Sequence, residues 1–168
     1  MRLKTSFPTT AEPDRAFEHL ADFGRIEEWD PFIGRAVRLD PGPPRVGSRY
    51  DVFAKGDRLK LHYEVVELDP VGRRVRLDGS ATGFRGWDEM TVAPAPTGTG
   101  SIVTYEAEIG LHGRGRLLYL LAPLSIFVFA IGGNPMRGMR RRLDALTGST
   151  PTGPTGPKTS AGPAGTTP

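Results

Sequence analysis

Six segments rich in Val, Leu, Tyr and Phe follow one another between Gly34 and Leu111, and turn residues separate each from the next. They cover about 35–40, 47–54, 59–68, 73–79, 84–92 and 101–111, with breaks such as Asp69-Pro70-Val71-Gly72 between them. Such short connections permit antiparallel pairing, whereas parallel pairing needs a crossover of a dozen or more residues. The pattern therefore predicts an antiparallel sheet and disfavours a parallel α/β architecture.

The residues before these segments predict one more strand and two short helices. Apolar and polar residues alternate from Leu3 to Phe7, which indicates a first strand that ends at Pro8. Thr9 and Glu12 have the spacing of a capping box and predict the start of a helix that closes at Gly24. The apolar face of that helix consists of Ala16, Phe17, Leu20 and Phe23. A second short helix is expected at 26–30.

Length and composition narrow the possible classes of protein. A chain of 168 residues favours one domain, and the complete lack of cysteine excludes disulfides, thiolate metal sites and a cysteine nucleophile. Residues 147–168 consist almost entirely of Thr, Gly, Pro, Ser and Ala, which is typical of a disordered tail. We therefore expect a folded domain over residues 1–146.

A stretch without any charge, Leu117–Met136, precedes the tail. Its strongly apolar part, Leu117–Ile131, has 15 residues, whereas a membrane span needs about 20. The stretch predicts a buried helix, with peripheral membrane insertion or a short membrane span as the alternative. In that alternative a basic cluster would contact anionic head groups, and its members are Arg137, Arg140, Arg141 and Arg142. The helix is expected to continue with an apolar stripe of Met136, Met139, Leu143 and Leu146.

Five stretches have a composition, order and spacing that point to one superfamily. They are Phe7-Pro8 with Pro13 and Ala16-Phe17; Leu20-Ala21-Asp22-Phe23 leading to Trp29-Asp30-Pro31; Val46 to Tyr50; Val65 to Pro70; and Gly98 to Tyr105. With the order of elements, they resemble the START-like (SRPBCC) superfamily, in particular its bacterial polyketide cyclase/dehydrase and lipid-transport branch. The resemblance covers roughly residues 1–146.

The resemblance implies an α+β helix-grip fold, in which a seven-stranded antiparallel sheet curls around a long C-terminal helix. It also implies a cavity between sheet and helix for a small hydrophobic ligand, such as a lipid, a sterol or a polyketide-like molecule. The apolar C-terminal stretch departs from the amphipathic helix usual in the family, so its bulky side chains are an alternative filling for that cavity.

The apolar registers of the strands supply most of the candidate ligand-binding residues, because alternate side chains of a strand share one face. The candidates are Trp29, Phe32, Tyr50, Val52, Leu61, Tyr63, Phe84, Met90, Val103, Tyr105, Ala107 and Leu121. A tyrosine hydroxyl in an apolar wall needs a hydrogen-bond partner, which a bound ligand can supply. Solvent or backbone contact is the alternative for the tyrosines, and anchoring of the short helix is the alternative for Trp29.

No residue is assigned a catalytic role from the sequence. His62 and Glu64 lie on a polar, outward register, as do Trp87 and Glu89, and the inward registers offer only tyrosines as titratable groups. His19 is expected at the edge of the apolar helix face. No two histidines have metal-ligand spacing, so neither a metal nor a cofactor is expected. The sequence thus favours binding over catalysis, with a cyclase or dehydratase and a membrane-surface module as alternatives.

The charge pattern and the N-terminal residues predict the kind of partner and the compartment. The basic cluster has no interleaved aromatic residues, which disfavours nucleic-acid binding. The N-terminus lacks the apolar core of a signal peptide, so a cytoplasmic location is expected, with membrane association as an alternative. The oligomeric state stays open.

Overall fold

The computed structural model describes residues 2–56, 59–111 and 134–148. Its strands are β1 (Arg2–Thr9), β2 (Ile33–Arg38), β3 (Arg49–Ala54), β4 (Lys60–Asp69), β5 (Arg74–Ala81), β6 (Phe84–Pro94) and β7 (Ser101–Leu111). Its helices are α1 (Pro13–Ala21), a 3₁₀ helix (Phe23–Glu28) and α2 (Pro135–Gly148). The strands form one antiparallel sheet in the order β1-β7-β6-β5-β4-β3-β2. This curled sheet, with short helices after β1 and a helix at the C-terminal end, is the predicted helix-grip architecture.

One face of the sheet, called the inner face below, carries the apolar residues of alternate positions. Val52, Val65 and Val103 are fully buried there. A bulge in β4 between Val65 and Glu67 shifts the alternation, so Leu68 again packs against the core opposite Val75. Helix α1 contacts β5, β6 and β7 of this sheet. The alternation in the sequence thus becomes one continuous core between sheet and helices.

The N-terminal segment departs from the sequence predictions in three details. Pro8 lies within β1 opposite Ile102 and does not end the strand, because β1 is an edge strand that tolerates a missing N–H. The predicted capping box is wrong: Glu12 is the N-cap residue, and no side-chain capping bond forms. Thr9 instead donates its hydroxyl hydrogen to Asp144 of α2 at 2.7 Å. Helix α1 ends at Ala21, and Gly24 lies within the 3₁₀ helix.

Helix α2 closes one end of the fold through the predicted apolar stripe. Met139 and Leu143 are fully buried, and Met136 and Leu146 pack against the same core. The helix contacts β1, α1 and the 3₁₀ helix. It continues to Gly148, two residues beyond the predicted domain boundary at 146. Residues 117–133 of the predicted long helix, including Leu121, lie outside the described residues, as does the tail beyond 148.

Within the described part of the chain, no helix has the length and apolar character that crossing a membrane requires.

Candidate functional site

A carboxyl group lies on the inner face among apolar side chains. Asp88 of β6 stands between Leu77 of β5 and Ala107 of β7, both of which are buried. Its own exposure is only 8%. The sequence analysis missed this residue, although its position was readable: Asp88 is two residues from Met90 and therefore shares the inward register.

Two tyrosines bind this carboxylate. Tyr105 of β7 donates its hydroxyl hydrogen to Asp88 Oδ1, and Tyr63 of β4 donates a second hydrogen bond to the same carboxyl group. Tyr63 reaches across β5 because Gly79 has no side chain; a Cβ there would lie 2.7 Å from Tyr63 Cε1. Asp88, Tyr63 and Tyr105 are called the Asp–Tyr cluster below. The tyrosine hydroxyls thus have a protein partner, which the sequence analysis did not identify.

The cluster changes the proton affinity of all three groups. Burial raises the pKa of Asp88 from 3.8 to about 6, although the hydrogen bonds from Tyr105 and Tyr63 lower it. Burial also raises the pKa of both tyrosines, and the neighbouring Asp88 charge raises it further. The tyrosines therefore stay protonated donors at neutral pH, while the Asp88 carboxyl titrates close to it.

A second carboxyl group, Asp30, lies near the cluster. It follows the 3₁₀ helix and accepts a hydrogen bond from the backbone N–H of Phe32 at 2.8 Å. Burial raises its pKa, and the exposed Lys55 partly opposes that rise. The charge of Asp30 in turn raises the pKa of Asp88, so the two carboxyl groups influence each other.

Aromatic rings line the inner face beside these carboxyl groups. The Phe23 ring packs against Tyr63 at 4.7 Å between centroids, and against Tyr50 and Trp29 edge-on at 6.1 and 6.5 Å. Trp29 is buried, and its backbone N–H donates to the Ile26 carbonyl at the end of the 3₁₀ helix. This contact fits the anchoring role predicted for Trp29, and its role in ligand binding stays a prediction.

The structure places the predicted ligand-binding residues in three groups. The buried ones are Trp29, Tyr50, Val52, Met90, Val103 and Ala107. The half-buried ones are Phe32, Leu61, Tyr63, Phe84 and Tyr105. Leu121 lies outside the described residues. The strand residues among them share the inner face with Asp88, so the predicted wall is brought together, and its role in binding stays a prediction.

The polar register faces the opposite, outer side of the sheet, as predicted. The His62 ring lies 2.7 Å from the Asp51 carboxylate, and Arg2 and Arg76 stand over the Trp87 ring at 5.5 and 4.4 Å. A concavity of about 650 Å³ on this side is lined mainly by outward-facing polar side chains and Trp87. Tyr63 of the Asp–Tyr cluster also reaches this concavity, whereas Asp88 and Tyr105 do not line it.

His19 is buried, rather than at the edge of the apolar face where the sequence analysis put it. Its Nδ1 accepts a hydrogen bond from Arg25 at 3.3 Å, and burial lowers its pKa. In the basic cluster, Arg137, Arg140 and Arg141 are exposed, whereas Arg142 is half-buried and pairs with Glu28. The apolar stretch predicted to touch a membrane with this cluster lies outside the described residues, so that contact stays a prediction.

The chain is similar to known proteins both in its sequence family and in its structure. The family model described as polyketide cyclase/dehydrase and lipid transport matches residues 1–147. TTHA0849 from Thermus thermophilus is similar in structure, with a TM-score of 0.65 and 17% identity, over 89% of this chain and 100% of that one. No curated protein matched the sequence.

Two similar structures have descriptions that mention a biosynthetic role. The di-domain ARO/CYC BexL from the BE-7585A biosynthetic pathway has a TM-score of 0.64 and 13% identity, over 89% of this chain and 48% of that one. A norcoclaurine synthase mutant from Thalictrum flavum, in complex with a transition-state analogue, has a TM-score of 0.60 and 16% identity, over 87% and 92%. At these identities the likeness shows the fold alone.

Proposed function

The chain belongs to the polyketide cyclase/dehydrase and lipid transport family, and from this membership we propose that it binds a small hydrophobic molecule on the inner face of its sheet. The Asp–Tyr cluster would recognise a polar group of that molecule. The observation that carries the proposal is the position of this cluster, a hydrogen-bonded carboxyl group in an otherwise apolar wall.

Affinity for the ligand and its orientation in the site would come from different groups. Apolar surface removed from water contributes roughly 25 cal/mol per Å² before the costs of association. Such burial does not select an orientation, whereas a few polar groups in an apolar site do. The aromatic rings of Phe23 and Trp29 and the valines of the inner face would supply the first contribution, and the Asp–Tyr cluster the second.

A fluorescence titration tests this proposal. N-phenyl-1-naphthylamine, an uncharged probe that brightens in apolar sites, is added to the full chain, and 1-decanol is used to displace it. We expect saturable binding and displacement, and Tyr63→Phe and Tyr105→Phe should each weaken decanol binding about threefold to tenfold by removing one hydroxyl. Native mass spectrometry should show a one-to-one adduct.

The outer face provides the matched control. Arg85→Ala and Trp87→Phe alter the concavity on that side and should leave decanol binding unchanged. Tyr105 does not line that concavity, so if these variants weaken binding while Tyr105→Phe does not, the ligand binds on the outer face and the proposal is wrong. Folded protein that gives neither probe binding nor an adduct would refute it outright.

A cyclase or dehydratase activity is a second candidate, and Asp88 is the observation that favours it. Such an activity needs a general acid or base on the inner face, and Asp88, with a pKa of about 6, supplies that group. A general acid or base works best when its pKa is near the operating pH. Loss of water from a 3-hydroxyacyl thioester should then fall about 100-fold or more in Asp88→Asn.

A further inference from the structure

We infer that the preferred ligand is a hydrophobic amine, whose ammonium group pairs with Asp88 and Asp30. This inference rests on the proposed function, because it assigns a chemical class to the molecule bound at the same site. It starts from the balance of charges and of hydrogen-bond donors on the inner face.

Among the described residues, Lys55 acts on Asp30, but no cation acts on Asp88, so the carboxyl groups at this site outnumber the cations near them. Asp88 is buried on β6, and the half-buried Asp30 approaches from the loop before β2. Among the described residues, the groups that interact electrostatically with Asp88 are the two tyrosines and Asp30, and none is a cation. A buried charge without a counterion is costly, so a ligand that brings a positive charge gains the interaction that the protein lacks.

The hydrogen bonds lead to the same class of ligand. Both tyrosine hydroxyl hydrogens are already donated to Asp88. The cluster therefore offers a ligand oxygen lone pairs as acceptors and no further hydrogen-bond donors. A carboxylate has about four acceptor positions, two of which the tyrosines occupy. An ammonium group is a donor with no lone pair, which matches this surface; a carboxylate or phosphate ligand would meet only acceptors and like charge.

The aromatic rings beside the Asp–Tyr cluster suit the hydrocarbon part of an amine ligand. The Phe23 and Tyr63 rings pack together at 4.7 Å beside the cluster, and Trp29 lies edge-on to Phe23. These rings offer apolar contact for a hydrocarbon chain, and a ring face attracts a nearby cation. The site thus combines an apolar wall with acceptor groups at one place.

The test compares three ligands with the same chain length: decylamine, 1-decanol and decanoate. Each displaces N-phenyl-1-naphthylamine from the full chain at neutral pH. We expect decylamine to bind at least about tenfold more tightly than decanol, and decanoate to bind more weakly than decanol. Equal affinities for decylamine and decanol, or tighter binding of decanoate, would overturn this inference and leave the proposed function standing. Failure of all three to displace the probe would refute the proposed function.

Two independent variants separate a charge effect from a change in the fold. Asp88→Asn and Asp30→Asn should each reduce the affinity for decylamine about fivefold or more, and should reduce it by a larger factor than the affinity for decanol. Asp78→Asn, an exposed acid on the neighbouring strand, is the control and should change neither. Circular dichroism checks that each variant is folded. A preference for decylamine that survives in both inner-face variants would show that these carboxyl groups do not recognise the amine.

Discussion

The carboxyl group of Asp88 is held in the interior at a free-energy cost that depends on pH. Burial disfavours its charged form, and the hydrogen bonds from Tyr63 and Tyr105 offset only part of that effect. The residue therefore opposes folding at neutral pH, although its partners are well placed. A residue that lowers the stability of the unliganded fold is typical of a functional site, because groups needed for function are often unfavourable for stability.

Replacement of Asp88 by Asn should stabilise the protein at neutral pH. The folded-state pKa of about 6 lies above the ordinary 3.8, so between these values the folded protein binds more protons than the unfolded chain. The free energy of unfolding consequently falls as pH rises through this window, by about 3 kcal/mol in total. Urea denaturation at a series of pH values should show this fall in the parent chain and a flatter profile in Asp88→Asn.

The exposed Asp78 is the control for this experiment, since Asp78→Asn should stay within about 0.5 kcal/mol of the parent at every pH. Burial also raises the pKa of Asp30. Asp30 should therefore contribute a smaller fall of the free energy of unfolding with pH in all three proteins. If the profiles of the parent and Asp88→Asn coincide, the carboxyl group does not carry the proposed cost.

At the scale of the elements, one glycine of β5 makes room for the cluster. Gly79 of β5 pairs with Gly86 of β6, and the space above Gly79 is filled by the Tyr63 ring. The strand bounds were predictable to within about two residues from alternation and turn residues. The Asp–Tyr cluster was not predictable in this way. It depends on which residues of β4, β6 and β7 lie side by side, and that register cannot be read from a single sequence.

A methyl group at position 79 should separate Tyr63 from Asp88. The Cβ of Gly79→Ala would lie 2.7 Å from Cε1 and 3.0 Å from Cζ of the Tyr63 ring, so the ring must move and its hydroxyl leaves the carboxylate. Because this hydrogen bond lowers the pKa of Asp88, its loss should raise that pKa above about 6. Carboxyl carbon NMR titration measures the change, and Tyr63→Phe should produce a rise of the same sign.

The neighbouring Ser80 is a suitable control, because it is exposed and points to the outer face. Ser80→Ala should leave the titration of Asp88 unchanged. If the pKa of Asp88 is unaltered in Gly79→Ala, the Tyr63 hydroxyl still reaches the carboxylate and this prediction is wrong.

In the whole molecule, the two ends of the described fold are joined by contacts that local sequence patterns do not reveal. The Asp144 carboxylate of α2 accepts hydrogen bonds from the Thr9 hydroxyl and the Thr10 backbone N–H, at 2.7 and 2.8 Å. The apolar stripe of α2 was predictable from its helical spacing, and so was the fold class. The partner of Thr9 was not, since a capping box within the N-terminal segment looks equally satisfactory until the tertiary contact is known.

The close approach of Gly138 in α2 to the backbone of Trp29 gives a prediction about how α2 packs. At Gly138 a Cβ would lie 2.0 Å from the Trp29 carbonyl oxygen, a backbone atom that no side-chain rotation can move aside. Gly138→Ala should therefore force the helix away from the 3₁₀ helix and lower the free energy of unfolding by about 3 kcal/mol. Gly148→Ala, at the last residue of the same helix, has nothing within 4 Å and should change stability by less than about 0.5 kcal/mol. Urea unfolding measures both, and equal stabilities would show that α2 does not depend on this close approach.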